Sequence, residues 1–381
     1  MIIAIDATTI RSDGGIEYLT QILNNLSNKK SIKKIFVWSA KNNLSLIKIN
    51  KKIIKKNNFL LNSNFFMILL WQFFFFNYEL KQNNCDIIYL TSGYCFAKKK
   101  KPRVLIIQNL LPFEKNKMNF NVLFLFKLFL LKIIYIYFIK NSEGVILSSK
   151  YSKKIIKRSV KLKTLNRVIY HGVDNIFFKK PKRLTYYKKK IINMLYVSSL
   201  SSYKNQLNLI RAVYILICSG FKIKLRLVGS GSYLYKKKLL SNIQKNNLDN
   251  SVIFEGNKTK IQMLNLLSNY CDIYIYPSKC ESFGISLLEA MANGKVICCS
   301  KISTMPELLN NGGFYFNPNS AKSISDSILR AIKYKKLAYN LSCNSFKEAK
   351  KFSWKKTSKT TFNFIYEVQK KNTYNKPVFL A

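Results

Sequence analysis

Twelve short runs of β-branched and aromatic residues recur along the chain, and helix-length amphipathic segments separate them. They are Ile2–Asp6, Lys34–Trp38, Asp86–Leu90, Arg103–Gln108, Gly144–Ser148 and Arg167–Tyr170, then Asn193–Val197, Lys222–Gly229, Ser251–Glu255, Asp272–Pro277, Lys295–Cys299 and Gly313–Phe316. Apolar runs that are continuous rather than alternating describe parallel strands covered on both faces. Two α/β units follow. The polar stretch 175–190, with Pro181 and the cluster Lys188-Lys189-Lys190, reads as the break between them. The expected organisation is an N-terminal α/β domain over 1–178, a linker over 179–190, a C-terminal α/β domain over 191–350, and a last helix in 351–381. That helix carries Trp354, Thr361, Phe362, Ile365 and Val368 at helical spacing and is expected to pack back on the N-terminal domain. A chain of 381 residues has core enough for two domains without disulfide staples.

The 65 Lys+Arg against 17 Asp+Glu leave a net charge of +48, which points to a polyanionic partner. Only eight of those bases are Arg, however, and the lysines are spread over both halves, the pattern that AT-rich codons produce. Specific nucleic-acid recognition is therefore not expected, and attraction to an anionic membrane surface is. The eight Cys show no C-x-x-C spacing and there is a single His, so no zinc site is expected, and the thiols read as small buried hydrophobes in a reducing compartment. Met1–Asp6 lacks a basic leader and reads as a strand.

Two apolar stretches stand out in the N-terminal half, Phe65–Phe76 and Val122–Ile139. The second is long enough to span a bilayer, but Lys127 and Lys132 lie inside it and Lys115, Lys117 and Lys140 flank it. A helix lying in the interface keeps those ammonium groups among lipid phosphates. That monotopic reading is preferred over a span; a buried helix against a sheet is the competing one.

The most informative segment runs from Tyr276 to Gly294: a strand, a Pro stop, a polar loop through Glu281, then Gly284 and a helix closed by Gly294. Free N–H groups around Gly284, Ile285 and Ser286 at such a helix start can hold a phosphate. Glu281 beside them and Glu289 farther along the helix can accept hydrogen bonds from hydroxyls on either side. A phosphate flanked by hydroxyls describes a nucleotide sugar.

Pro277–Gly294 resembles the signature P-S-x-x-E-x-F-G-x-x-x-x-E-A-M-A-x-G of the retaining family-4 glycosyltransferases of GT-B architecture. Asp6-Ala7 through Gly14-Gly15-Ile16 resembles the family's first strand and Gly-Gly loop, and the YHGVDNIF of Tyr170–Phe177, the YVSSLSSYKNQ of Tyr196–Gln206, Leu227–Gly231 and Gly312–Pro318 are similar to further parts of it. Gln108–Glu114 resembles a loop of members that build bacterial surface polysaccharides. The resemblance implies two Rossmann-like domains with parallel sheets facing across a cleft, and a hexosyl transfer from a nucleoside-diphosphate sugar, with retention, to a saccharide acceptor, lipid-linked, in cell-surface polysaccharide or lipopolysaccharide synthesis. It implies that Glu281 contacts the donor sugar, Glu289 the ribose, Lys204 the diphosphate and the Gly14-Gly15 loop the phosphate from the opposite domain, with Glu281, Lys204, Gln108 and Asn109 as the catalytic residues. No cofactor and no metal are expected. The chain lacks D-x-D, and an ammonium with oriented N–H donors can carry the leaving-group charge.

Two positions depart from the family pattern. Ser199 stands where many members have Arg, and Gln108 where many have His, which leaves Asp13 and Glu114 as candidates to orient the acceptor. His171 reads as structural, and Gly229 and Gly231 as turn glycines. The expected location is the cytoplasm, peripheral on the inner face of the membrane. The alternatives are an epimerase or phosphorylase of the same fold, and a catalytically inactive basic relative binding anionic membrane or nucleic acid.

Overall fold

The computed structural model describes residues 1–114, 120–182 and 191–374. They form two compact units: Met1–Phe113 with Leu125–Gly172 and the stretch from Ser353, and Val173–Phe352 with the described residues between Glu114 and Phe124. The strands of the first are β1 (Ile2–Asp6), β2 (Lys34–Trp38), β3 (Ile53–Lys56), β4 (Ile87–Leu90), β5 (Arg103–Ile107), β6 (Gly144–Leu147) and β7 (Leu165–Val168). They pair in the order β3-β2-β1-β4-β5-β6-β7, all parallel. Helices α1 (Asp13–Asn24), α2 (Lys41–Ser45), α3 (Phe65–Phe74), α4 (Phe76–Gln82), α5 (Val122–Lys140) and α6 (Lys150–Lys157) connect them.

The second unit has β8 (Ile192–Val197), β9 (Ile223–Val228), β10 (Val252–Gly256), β11 (Ile273–Tyr276), β12 (Val296–Ser300) and β13 (Phe314–Phe316), in the order β10-β9-β8-β11-β12-β13. All are parallel, with α7 (Gln206–Cys218), α8 (Tyr233–Lys245), α9 (Lys260–Tyr270), α10 (Ile285–Ala292), α11 (Met305–Leu309), α12 (Ala321–Lys333) and α13 (Lys335–Ala349) around them. Both sheets are doubly wound: strand order reverses beside the first strand of each, which is where such folds bind ligands.

Several boundaries differ from expectation. The divide falls after Gly172 rather than at 178, because Phe177 is buried in the second unit, where its carbonyl accepts from Asn293 Nδ2 at 3.2 Å. Residues 179–181 are packed chain rather than free linker: a Cβ on Gly294 would lie 2.8 Å from the Lys179 carbonyl and 2.7 Å from the Pro181 nitrogen. The rest of the proposed linker, 183–190, lies outside the described residues, as do Lys115, Lys117 and 375–381. β3 escaped the sequence reading because its two isoleucines sit between lysines at a half-exposed sheet edge. β7 lies two residues earlier than Arg167–Tyr170.

The last helix, α14 (Trp354–Tyr374), belongs to the first unit. Ser358 Oγ donates to the Ile22 carbonyl of α1 at 2.7 Å, and Arg167 pairs with Glu367 at 2.9 Å. Phe364 and Val368 lie so close to Gly144 that any Cβ there would clash, at 2.7 Å from Val368.

Helix α5 overturns one of the alternatives. Apolar on all sides, it would be expected to lie inside the protein, yet only Tyr135, Phe138 and Ile139 are buried. A bilayer span is excluded by topology, since α5 joins β5 to β6, which pair directly in one sheet. The cysteines among the described residues are all free, and six of the eight are buried.

His171, the chain's single histidine, is buried with its ring 4.8 Å from Tyr18 and 5.7 Å from Trp354. Burial pushes its pKa from 6.5 down to about 3. The folded imidazole therefore stays neutral while the unfolded chain takes up a proton as pH falls, so this group removes stability from about pH 6.5 downward. Urea unfolding of the wild type should lose roughly 2 kcal/mol more between pH 7 and pH 5 than His171→Phe does; equal losses would contradict this reading.

Candidate active site

The site grows from the reversal point of the second sheet, where β8 and β11 are neighbours. The loop after β8 carries a single turn, Ser202–Lys204, and the loop after β11 carries Glu281. Lys204 Nζ lies 2.7 Å from Glu281 Oε1, with the two side chains only 13% and 10% exposed. Tyr276, the last residue of β11, donates its hydroxyl to the same oxygen at 2.9 Å.

The surrounding bonds hold both loops in place. Asn205, in the left-handed region at φ 66°, gives its amide to the carbonyls of Pro277 at 3.1 Å and Pro318 at 2.7 Å, tying three strand ends together. The Lys279 N–H reaches the Tyr203 carbonyl at 2.8 Å. Ser303 Oγ accepts from the Glu281 N–H and donates to the Glu281 carbonyl, both at 2.9 Å, and Thr304 Oγ1 donates to the Phe283 carbonyl at 2.8 Å. The Glu281 peptide is thus fixed from both sides.

Helix α10 follows. Gly284 turns into it at φ 108°, and a Cβ there would sit 3.3 Å from the Tyr276 hydroxyl, so the position favours glycine twice over. No side chain caps α10, which leaves its first-turn N–H groups suited to an anion. Ser286 spends its hydroxyl on the Val197 carbonyl at 3.0 Å, which sets the helix start over the end of β8. Its backbone N–H, with those of Gly284 and Ile285, is what remains for a ligand. Glu289 shares the Ser286 face of the helix and is half-buried.

Burial works against the Lys204 charge, but the Glu281 carboxylate outweighs it and raises the ammonium pKa above its ordinary value. Burial, with the charge of Glu281, also pushes the Tyr276 hydroxyl well above its usual range, so it remains a neutral donor. Lys279, half-buried in the same loop, has its ammonium pKa lowered by burial.

The structure brings Lys204, Glu281, Gly284, Ile285, Ser286 and Glu289 together in the second unit. Gly14 and Gly15 are not a loop: both lie in the first turn of α1, and the Gly15 N–H is already held by Ser12 Oγ at 3.3 Å. Gly14 is open to solvent, with nothing within 4 Å of where a Cβ would be. Gln108 gives its amide to the Thr91 carbonyl at 2.9 Å, joining the ends of β5 and β4, and Asn109 Oδ1 accepts from the Leu111 N–H at 3.0 Å, shaping the turn that follows. Ser199, in place of an expected Arg, is exposed. Among the described residues no group of three or more His, Cys, Asp or Glu is placed to hold a metal ion. Sequence reading missed Tyr276, Asn205, Ser303 and Thr304, whose roles exist only once strand ends are neighbours.

Residues 176–348 match the family model described as glycosyl transferases group 1. That match lies within the second unit, Val173–Phe352. The chain is 28% identical over 218 residues to an uncharacterized glycosyltransferase of Methanocaldococcus jannaschii, covering 57% of each chain. It is 32% identical over 90 residues, 24% of each chain, to the O-antigen chain mannosyltransferase B of Escherichia coli. These matches span about half, and about a quarter, of the relatives' lengths. Among solved structures, a sucrose-phosphate synthase from Thermosynechococcus elongatus superposes with TM-score 0.79 at 16% identity, covering 97% of this chain and 99% of that one. The Anabaena protein HepE, solved with UDP and glucose, gives 0.72 at 18% identity, covering 96% and 99%. The fold is GT-B, two parallel-sheet Rossmann-like units.

Lys204→Met leaves a carboxylate buried without its cation and should cost about 3–5 kcal/mol in urea unfolding. Adding Glu281→Gln should recover more than 1 kcal/mol of that loss. Strict additivity of the two changes would show that the pair is not coupled.

Proposed function

We propose that the chain is a retaining, metal-independent hexosyltransferase that moves a sugar from a nucleoside diphosphate to a saccharide acceptor, lipid-linked, in surface-polysaccharide assembly. The observation that carries this reading is the buried Lys204–Glu281 pair beside the uncapped start of α10. A diphosphate seated on those N–H groups would draw Lys204 to itself, since a charge-assisted bond to phosphate matches the one to carboxylate. Glu281, still held by Ser303 and Tyr276, would then accept from hydroxyls of the donor sugar, and Glu289 from those of the ribose.

Cleavage of the sugar–phosphate bond builds negative charge on the leaving diphosphate. Lys204 and the α10 N–H groups stabilise that charge where it develops. With attack on the same face, the departing phosphate oxygen takes the acceptor's proton, so neither Gln108 nor Asn109 needs to act as a base. Polysaccharide assembly is supported by what the E. coli relative is named for. With a nucleotide-sugar donor and a lipid-linked acceptor, the reaction would take place at the inner face of the cytoplasmic membrane.

Isothermal titration with a panel of UDP- and GDP-hexoses should show binding to at least one donor, weakened about 100-fold by Lys204→Ala, equivalent to ~2.7 kcal/mol, and by Glu281→Gln for the sugar nucleotide more than for the free diphosphate. Proton NMR of the product should show the donor's anomeric configuration. Binding to none of the donors, or indifference to both substitutions, would refute the assignment.

A further inference from the structure

We propose that the first unit docks on the surface of an anionic lipid bilayer through one apolar face built from α3, α5 and the chain between β4 and β5. This goes beyond the transferase reading and does not depend on it.

The face is continuous. Phe96, between β4 and β5, gives its N–H to Gln72 of α3 at 3.1 Å and sets its ring 6.2 Å from Phe138 of α5. Tyr94 lies 5.8 Å from Tyr135 in the same way. The two helices are therefore bridged on one side of the seven-stranded sheet. On α3, Phe66 and Phe73 stand 65% and 61% exposed; on α5, Phe126, Ile133 and Tyr137 stand 57%, 49% and 59% exposed. A surface this apolar is a docking surface rather than ordinary scatter.

The lysines decide what docks there. At 3.6 residues per turn, Phe126, Ile133 and Tyr137 form a ridge opposite the buried Tyr135, Phe138 and Ile139. Lys127 and Lys132 then project roughly 100–120° to either side of that ridge. A helix lying parallel to a bilayer, ridge downward, puts both ammonium groups at the level of the lipid phosphates. The far end of α5 adds Lys140, and the run Lys98–Lys101 comes beside it: Lys99 reaches the Asn141 carbonyl at 2.7 Å and pairs with Glu143, which leaves Lys98, Lys100 and Lys101 as the added charge. A second copy of the chain is disfavoured by the same charges, which would meet their like across the contact, and by a net charge of +48.

The test uses the full chain and vesicles of phosphatidylcholine with or without phosphatidylglycerol. The three native tryptophans are buried, so Phe126→Trp gives a reporter at the face. Sedimentation should show binding that rises with phosphatidylglycerol and survives in part at high salt. It should fall at least tenfold in Phe126→Asp/Ile133→Asp and, separately, in Phe73→Asp, with the urea-unfolding midpoint unchanged as a check of folding. Lipids brominated high on the acyl chain should quench the Phe126→Trp reporter. The proposal is overturned by an absence of binding, by binding that high salt abolishes and the Asp variants leave intact, or by a concentration-dependent dimer that the Asp variants dissolve.

Discussion

An ammonium and a carboxylate taken almost entirely out of water organise the second unit. Each ion loses several kcal/mol of hydration on burial, and mutual attraction offsets this only where geometry and further hydrogen bonds are good. Here they are: Lys204 and Tyr276 both reach one oxygen of Glu281, and Ser303 grips its peptide from both sides. Apolar residues of similar volume would serve stability as well. The pair is better explained by what could compete for it, and a diphosphate at the start of α10, as proposed above, would do so.

The scaffold supplies that arrangement through the strand order. Because β8 and β11 are neighbours, two loops nearly eighty residues apart in sequence meet at one crevice, and Asn205 joins them to the end of β13. Close approach of the backbones is required elsewhere too: a Cβ on Gly229 would fall 2.2 Å from the Ser198 carbonyl, so the loops after β8 and β9 can lie together only with glycine there. The charge pair, the asparagine and the glycines act at the same end of the sheet.

Much of this was legible in the chain. Strands with continuous apolar runs, such as Ile273–Tyr276 and Val296–Ser300, announced themselves because burial on both faces leaves no polar alternation. Glu281, Gly284 and Glu289 stood out from the order strand, loop, glycine, helix. The edge strand β3 did not, since a half-exposed strand of isoleucine and lysine looks like a charged loop. Gly14 and Gly15 misled in the other direction: paired glycines suggest a loop, but Ser12 caps the turn they occupy and makes it helix. Tyr276 and Ser303 carried no local signal, because their partners are set by tertiary neighbours. Helix α5 shows the limit of composition, which gives apolarity but not which side remains bare.

The central claim is that the charge pair opens for a diphosphate. A crystal structure of the chain with a bound nucleoside diphosphate tests it most directly. The account predicts Lys204 Nζ within about 3 Å of a phosphate oxygen, the first-turn N–H groups of α10 pointing at the same anion, and Glu281 still held by Ser303. A diphosphate bound elsewhere, with Lys204 and Glu281 still in contact, would contradict it.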